Sequence, residues 1–472
     1  MQKTKSCIVV GALVLISLVC YELSYRVPGA QAIPAFARKY DFACNVCHVP
    51  SFPKLNDFGN LFRDHGYQLG TEQELPTWEG LTKGYWPVSF RTTVGYQLQN
   101  KDGLRNATPG GDVTTTTTGS FGFTGLDVLS FGILQRDITF GLVFTPGLAS
   151  ASFNTGASNP PSDLEQAFIK LDNLQRFIGL GDNNYLMNFQ VGKYPLDLPF
   201  SEKRNPTLNT NFLAYHYTAG VPSIGGGLAG LTNPNNFALG STHPGAELAG
   251  IAPTAFTNGY FRYSLNALSN SDINKSATGG GRAMQFYGHA TQSFDGYGIV
   301  SGQRIGVYGM AGEAPTAASA AGVTSGAGEG NQSFSRVGAD ASLTAGGQVN
   351  VFGTWMVAKD DRKLFATAAA QEARWNGGFV EADYNPVQLP KWLFIYRYDW
   401  ITNTQQPDAA LVVGNFDNLQ GHTAAIRYNF HVSQRTDVAL HLEWNHLTAK
   451  QTGTSGGDQV QDTTLVGFDF AF

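Results

Sequence analysis

The sequence predicts an all-β fold, a transmembrane antiparallel β-barrel of about 16 strands with a short N-terminal α-helical plug. Three observations predict it. From about Tyr85 the chain alternates apolar and polar residues with period two, in short runs bounded by Gly, Asn, Asp or Pro. Composition agrees: 56 glycines, 12% aromatic and only 14% charged residues, with no later stretch suited to a spanning helix. Finally, long and short connections alternate, as in a barrel with long loops at one rim and tight turns at the other.

Residues 1–32 read as a cleaved signal peptide. Lys3 and Lys5 precede an apolar run, and Ala30-Gln31-Ala32 makes a small-x-small cleavage site. The run has about fourteen apolar residues against the roughly 20 of a spanning helix. A membrane anchor and a lipidated Cys20 are the competing readings. Cleavage would remove Cys7 and Cys20, leaving Cys44 and Cys47, so a disulfide framework is excluded. It would also remove three cations and one anion (Lys3, Lys5, Arg26 and Glu22), taking the formal charge from -5 to -7. That acidity argues against nucleic acid as a partner.

Residues 33–84 form the expected plug and 85–472 the barrel. In the barrel, KWLFIYRYDW puts Trp392, Phe394, Tyr396, Tyr398 and Trp400 on one face and Arg397 and Asp399 on the other. HTAAIRYNFH and DVALHLEWNH divide the same way, with Arg427, His431, His441 and Glu443 on the polar face. An aromatic face suits outer-membrane lipid and a mixed face suits a wet lumen, whereas a soluble sandwich would bury its apolar face. The end, TTLVGFDFAF, aligns Val466, Phe468, Phe470 and Phe472 and resembles the C-terminal signal of bacterial outer-membrane barrels. Long polar connections are expected at 100–117, 148–161, 195–243, 267–281, 311–333, 360–374, 402–420 and 448–462, facing outward, with both chain ends periplasmic. The longest, 195–243, either folds into the lumen or forms a surface lid.

The chemistry lies at residues 44 to 48, CNVCH. C-x-x-C-H in an exported chain reads as attachment of one covalent haem c. Cys44 and Cys47 supply the thioether anchors and His48 the proximal axial nitrogen. A thioredoxin-like dithiol would want a βαβ pattern, and a zinc site a second ligand pair. Pro53 to Gly66 reads as a short helix whose stripe, including Phe58 and Phe62, packs on the haem or on the barrel wall. With no Met between 33 and 83, His65 is the leading candidate distal ligand. His289, His431 and His441 are alternatives from the barrel, as is an open site. So short a segment needs the haem or another surface for stability.

The stretch AIPAFARKYDFACNVCHVPSFPKLNDFGNLFRDHGYQL resembles the N-terminal signature of the fused monohaem cytochrome-porin family, outer-membrane proteins of iron-oxidising bacteria. About 38 residues carry it, among them Pro34, Phe36, Arg38, Tyr40, the CNVCH core, Pro53, Leu55, Phe58, Gly59, Phe62, Gly66 and Tyr67. Family members often carry Asn where this chain has His65. The resemblance implies an iron(II):cytochrome c oxidoreductase. Fe(II) at the outer surface would be the donor and a periplasmic cytochrome c or similar carrier the acceptor. An electron conduit for another donor or acceptor, and a diffusion porin with a structural haem plug, are the rival readings.

Overall fold

The computed structural model describes residues 34–40, 42–49, 53–69, 76–82, 86–105, 113–146, 163–181, 185–208, 212–217, 219, 239–269, 283–315, 331–364, 371–405, 416–433, 436–451 and 458–471. Residues 1–32, expected to be a signal peptide, lie outside these, as do Ile33, Phe472 and the side chain of His431.

Sixteen antiparallel strands close on themselves. They are β1 (Val88–Arg105), β2 (Val113–Gln135), β3 (Ile138–Thr145), β4 (Asp163–Leu171), β5 (Asn188–Pro195), β6 (Thr242–Thr254), β7 (Gly259–Ser269), β8 (Met284–Phe294), β9 (Gln303–Pro315), β10 (Asn331–Ala345), β11 (Val349–Asp360), β12 (Ala373–Tyr384), β13 (Trp392–Gln405), β14 (Phe416–Ser433), β15 (Thr436–Gln451) and β16 (Gln459–Ala471). Each strand pairs with its neighbours in sequence, and β1 pairs with β16 in a register that sets Arg91 opposite Ala471. Closure removes every sheet edge, which a strand structure in lipid requires. The period-two reading holds: Arg397, Asp399, Arg427, His441 and Glu443 are buried inside, while Tyr396, Trp355, Trp444, Val466 and Phe468 form part of an exposed apolar outer belt. The expected loop 100–117 is shorter than the sequence suggests, because the threonine run 114–118 continues β2 in register with β1.

Short turns join strands at one rim. One of them, at Gly346 and Gly347, uses φ of 58° and 65°, which glycine adopts without steric cost. Across that rim lies the helical segment: α1 (Pro34–Tyr40), α2 (Cys44–Cys47), α3 (Asp57–Asp64) and, before β1, α4 (Thr77–Thr82). The helix expected from Pro53 is shorter than predicted. Leu55 pairs with His48 in an isolated bridge, and Asn56 caps α3 by accepting from the Gly59 amide at 2.9 Å. Gly66, at φ 62°, turns the chain out of α3. Phe36, Tyr40, Phe62 and Tyr67 make a small aromatic core, with Phe36 and Tyr67 stacked at 5.1 Å. The segment is otherwise fastened to the wall: Ala35 N donates to Ser89, Lys54 to Asn350, and Val300 N to Asp57.

The connection from β5 to β6 folds inward. Its described residues 196–208 and 212–217, including the 3₁₀ turn Glu202–Arg204 and α6 (Leu213–His216; α5 is Leu174–Phe177), reach across the lumen. Leu208 N donates to Glu443, Leu213 N to Asp399 and Tyr217 Oη to Asn403, while Phe212 stacks on Phe379 at 3.8 Å. Of the two placements left open by sequence for this loop, its described part takes the inward one.

Candidate functional site

The CNVC turn is one helical turn long, so it carries both cysteines and delivers His48 at its end. The thiols are free and buried. Burial raises Cys47 to about 11, and raises Cys44 further, with Asp437 and Cys47 adding to the effect. His48 is 2% exposed, and its Nδ1–H donates to the Lys54 carbonyl oxygen at 3.2 Å. That bond fixes the tautomer and leaves Nε2 as the lone-pair nitrogen. Burial lowers its pKa to about 4, so the imidazole is neutral at pH 7. The side chain of Lys54 pairs with Asp383 on the wall, so the residue that orients His48 is itself pinned.

Cys47 and His48 line a cavity of ≈ 310 Å³ between plug and wall. One part of it is apolar, with Phe36, Phe62, Leu129, Phe131 and Val143; the rest is strongly charged. The volume lies at the lower end of the range for ligand pockets.

Along the cavity runs an ionic chain that sequence reading did not anticipate. Asp64 of α3 pairs with Arg63 at 2.7 Å and with Arg262 of β7 at 2.8 Å. Arg262 reaches Asp197 of the inward segment at 3.3 Å, and the Asp197 carbonyl meets His289 Nδ1 at 2.8 Å. His289 Nε2 meets Asp340 at 3.1 Å. Burial opposes the charge of Asp64, yet Arg262 and Arg63 hold its carboxyl at about 2. Asp197 is likewise held well below the usual range against burial, chiefly by Arg262 and His289. Plug, inward segment and wall therefore share one buried network. Its members lie far apart in the chain, so no single stretch of the sequence shows it.

The other sequence-predicted residues are distributed unevenly. Phe62 is buried at the cavity, whereas Phe58 is 37% exposed and stacks on Phe62 from outside the lining. His65 is also outside the lining, its ring stacked on Tyr185 at 4.2 Å. His289 is committed to the ionic chain. His441 is buried on the lumen side of β15, opposite Arg427, with Nε2 making no hydrogen bond. Among the described residues, no three His, Cys, Asp or Glu side chains converge as a bare-metal site.

No protein-family model and no curated protein matches this chain. Among solved structures, the barrel is similar to the outer membrane channel DcaP of Acinetobacter baumannii (TM-score 0.43, 10% identity over 80% of this chain and 96% of that chain). It is similar also to an anion-selective porin from Comamonas acidovorans (0.48, 13%, 82% and 99%) and to Salmonella typhi OmpF in complex with daunomycin (0.44, 13%, 82% and 97%). What the chain shares with them is the fold, a closed sixteen-stranded antiparallel β-barrel.

Proposed function

We propose that this chain is an outer-membrane cytochrome-porin that oxidises Fe(II) supplied from the outer side and hands the electron to a periplasmic carrier, using one c-type haem held by Cys44, Cys47 and His48. The observation that carries this reading is the free thiol pair and neutral, oriented imidazole set beside a cavity with one apolar side inside a β-barrel. Those residues fit a haem c: two thiols on one turn, a lone-pair nitrogen at Nε2 and a slot lined by Phe36, Phe62 and Phe131. When bound, the haem supplies a reversible one-electron acceptor. Lys54 orients His48, the plug aromatics exclude water, and the inward segment narrows the route from the outer rim. Each Fe(II) loses one electron to become Fe(III), the electron leaves to the carrier, and no protein base or nucleophile is needed.

The test is stopped-flow visible spectroscopy of the oxidised protein mixed anaerobically with Fe(II), with a Cys44→Ala, Cys47→Ala control. Rapid growth of reduced c-haem bands, absent from the control, supports iron oxidation. Haem that ignores Fe(II) but responds to dithionite removes iron as the direct donor. A second reading, a diffusion porin with a structural haem plug, is favoured by the buried ion pairs that fasten the plug across the rim. It predicts little electron transfer and a conductance that rises when the plug is released.

A further inference from the structure

Apart from Arg204, every cation lining the cavity has a carboxylate partner or close neighbour, while the carboxylates Asp127 and Glu247 are hydrogen-bonded to Thr145 and Ser264. Arg63 and Arg262 are bonded to Asp64, Lys203 to Glu165, Lys170 to Asp172, and Arg91 approaches Asp469 at 3.7 Å. Arg204 stands apart. It sits on the 3₁₀ turn of the inward segment, half-buried in the cavity lining, and its guanidinium makes no hydrogen bond or ion pair with any described residue. Its charged surroundings are Arg63, Tyr67, Asp197 and Asp64, and both carboxylates are already engaged by Arg262. Burial, with Arg63 adding, lowers its pKa to about 9. A cation removed from water without a counter-charge is costly, so the place calls for an anion. The same cavity has an apolar side. A ligand that is flat and apolar with carboxylates at its margin satisfies both requirements, and planar bidentate recognition of a carboxylate is what guanidinium does best.

We propose that Arg204 binds a propionate carboxylate of the haem, so that the segment narrowing the lumen is keyed to the cofactor of the plug. This rests on the haem reading above. Sequence alone could not single out Arg204, because SEKRNP looks like an ordinary charged loop.

The experiment uses full-length protein with Arg204→Gln and Arg204→Lys variants, and it begins with the pyridine haemochrome assay. Covalent haem is expected in all three, since the thioether anchors are untouched. In Arg204→Gln, the ferrous-to-ferric ratio at a fixed applied potential should fall about tenfold, equivalent to about 59 mV for a one-electron couple. The fall in potential that accompanies propionate ionisation should also move to higher pH, because a carboxylate without its cation titrates later. Arg204→Lys should restore most of the potential but leave shifted propionate bending bands in resonance Raman spectra. Since Lys keeps the charge, that variant tests the contact even if Arg204→Gln fails to fold. Haem-loaded variants with unchanged potential, pH profile and propionate bands would overturn the proposal. Wild-type protein with no covalent haem would instead overturn the haem reading, and this inference with it.

Discussion

The wall and the plug solve the same problem in opposite ways. Each barrel strand is paired on both sides along a continuous register, so the wall satisfies its backbone locally and has no edge. The plug helices span seven, four, eight and six residues, too short to be stable alone, and charged groups of the plug such as Asp64 and Lys54 are satisfied by strands more than a hundred residues away. The wall is therefore expected to persist when the plug fails, while the plug should depend on every fastening that reaches it.

The largest expected break in this comparison is Cys44→Ala with Cys47→Ala. Covalent haem should be lost completely, read as absence of haem staining on a denaturing gel. The barrel should still insert and keep its heat-modifiable mobility, because no wall residue changes. Single-channel conductance should rise as the plug loses its filler. A barrel that fails to insert would mean that wall and plug fold as one unit.

Next in size is Asp64→Asn, which removes the carboxylate shared by Arg63, Arg262 and Tyr297. Removing one partner of a buried pair costs about 3 kcal/mol. Limited proteolysis within the plug should accelerate roughly 100-fold, with the wall unaffected. The wild-type pH profile follows from the depressed pKa of Asp64. A carboxylate at about 2 when docked, against an ordinary value near 3.9, contributes fully above about pH 4 and is lost as pH falls through about 2. Pepsin sensitivity of the plug should therefore climb between pH 4 and pH 2. The Asn variant should show a smaller climb, because Asp197 still titrates in the same network.

The contrast between the two regions also explains what could be read from sequence. Alternation is a local property, so Arg397 against Tyr396, or Glu443 against Trp444, assigned faces without knowledge of any partner, and counting runs gave the sixteen strands. The cysteine spacing was legible for the same reason. The position of His65 was not: helical spacing locates it at the end of α3, but its neighbour Tyr185 comes from a distant wall connection. Asp197, Arg262 and Arg204 are unremarkable in their own stretches, and they acquire meaning only when closure of the barrel and infolding of 196–208 bring them to one cavity.

A smaller effect is expected from Gly66→Ala. Gly66 is at φ 62°, and an added Cβ would run into the Asp172 carboxylate, which holds Lys170 on the wall. Strain of this kind costs about 2 kcal/mol. Its signature is faster hydrogen exchange in the last turn of α3, with the amides of β1 and β16 unchanged.

The smallest break separates two jobs of a single side chain. Asn56 caps α3 through Oδ1, and through Nδ2 it donates to the carbonyls of Asn45 and Val46 at 3.0 Å, tying the CNVC turn to α3. Asn56→Ala loses both and should cost about 1–2 kcal/mol in plug stability. Asn56→Asp keeps the cap acceptor, adds a favourable charge at the helix start, and loses only the donations. Proteolysis of the Asp variant should fall between wild type and Ala. If Asp equals Ala, the tie between the two turns is what matters and the cap contributes little. If Asp equals wild type, α3 holds its place by capping and wall contacts alone, and the CNVC turn must be held by Cys44, Cys47 and His48 themselves.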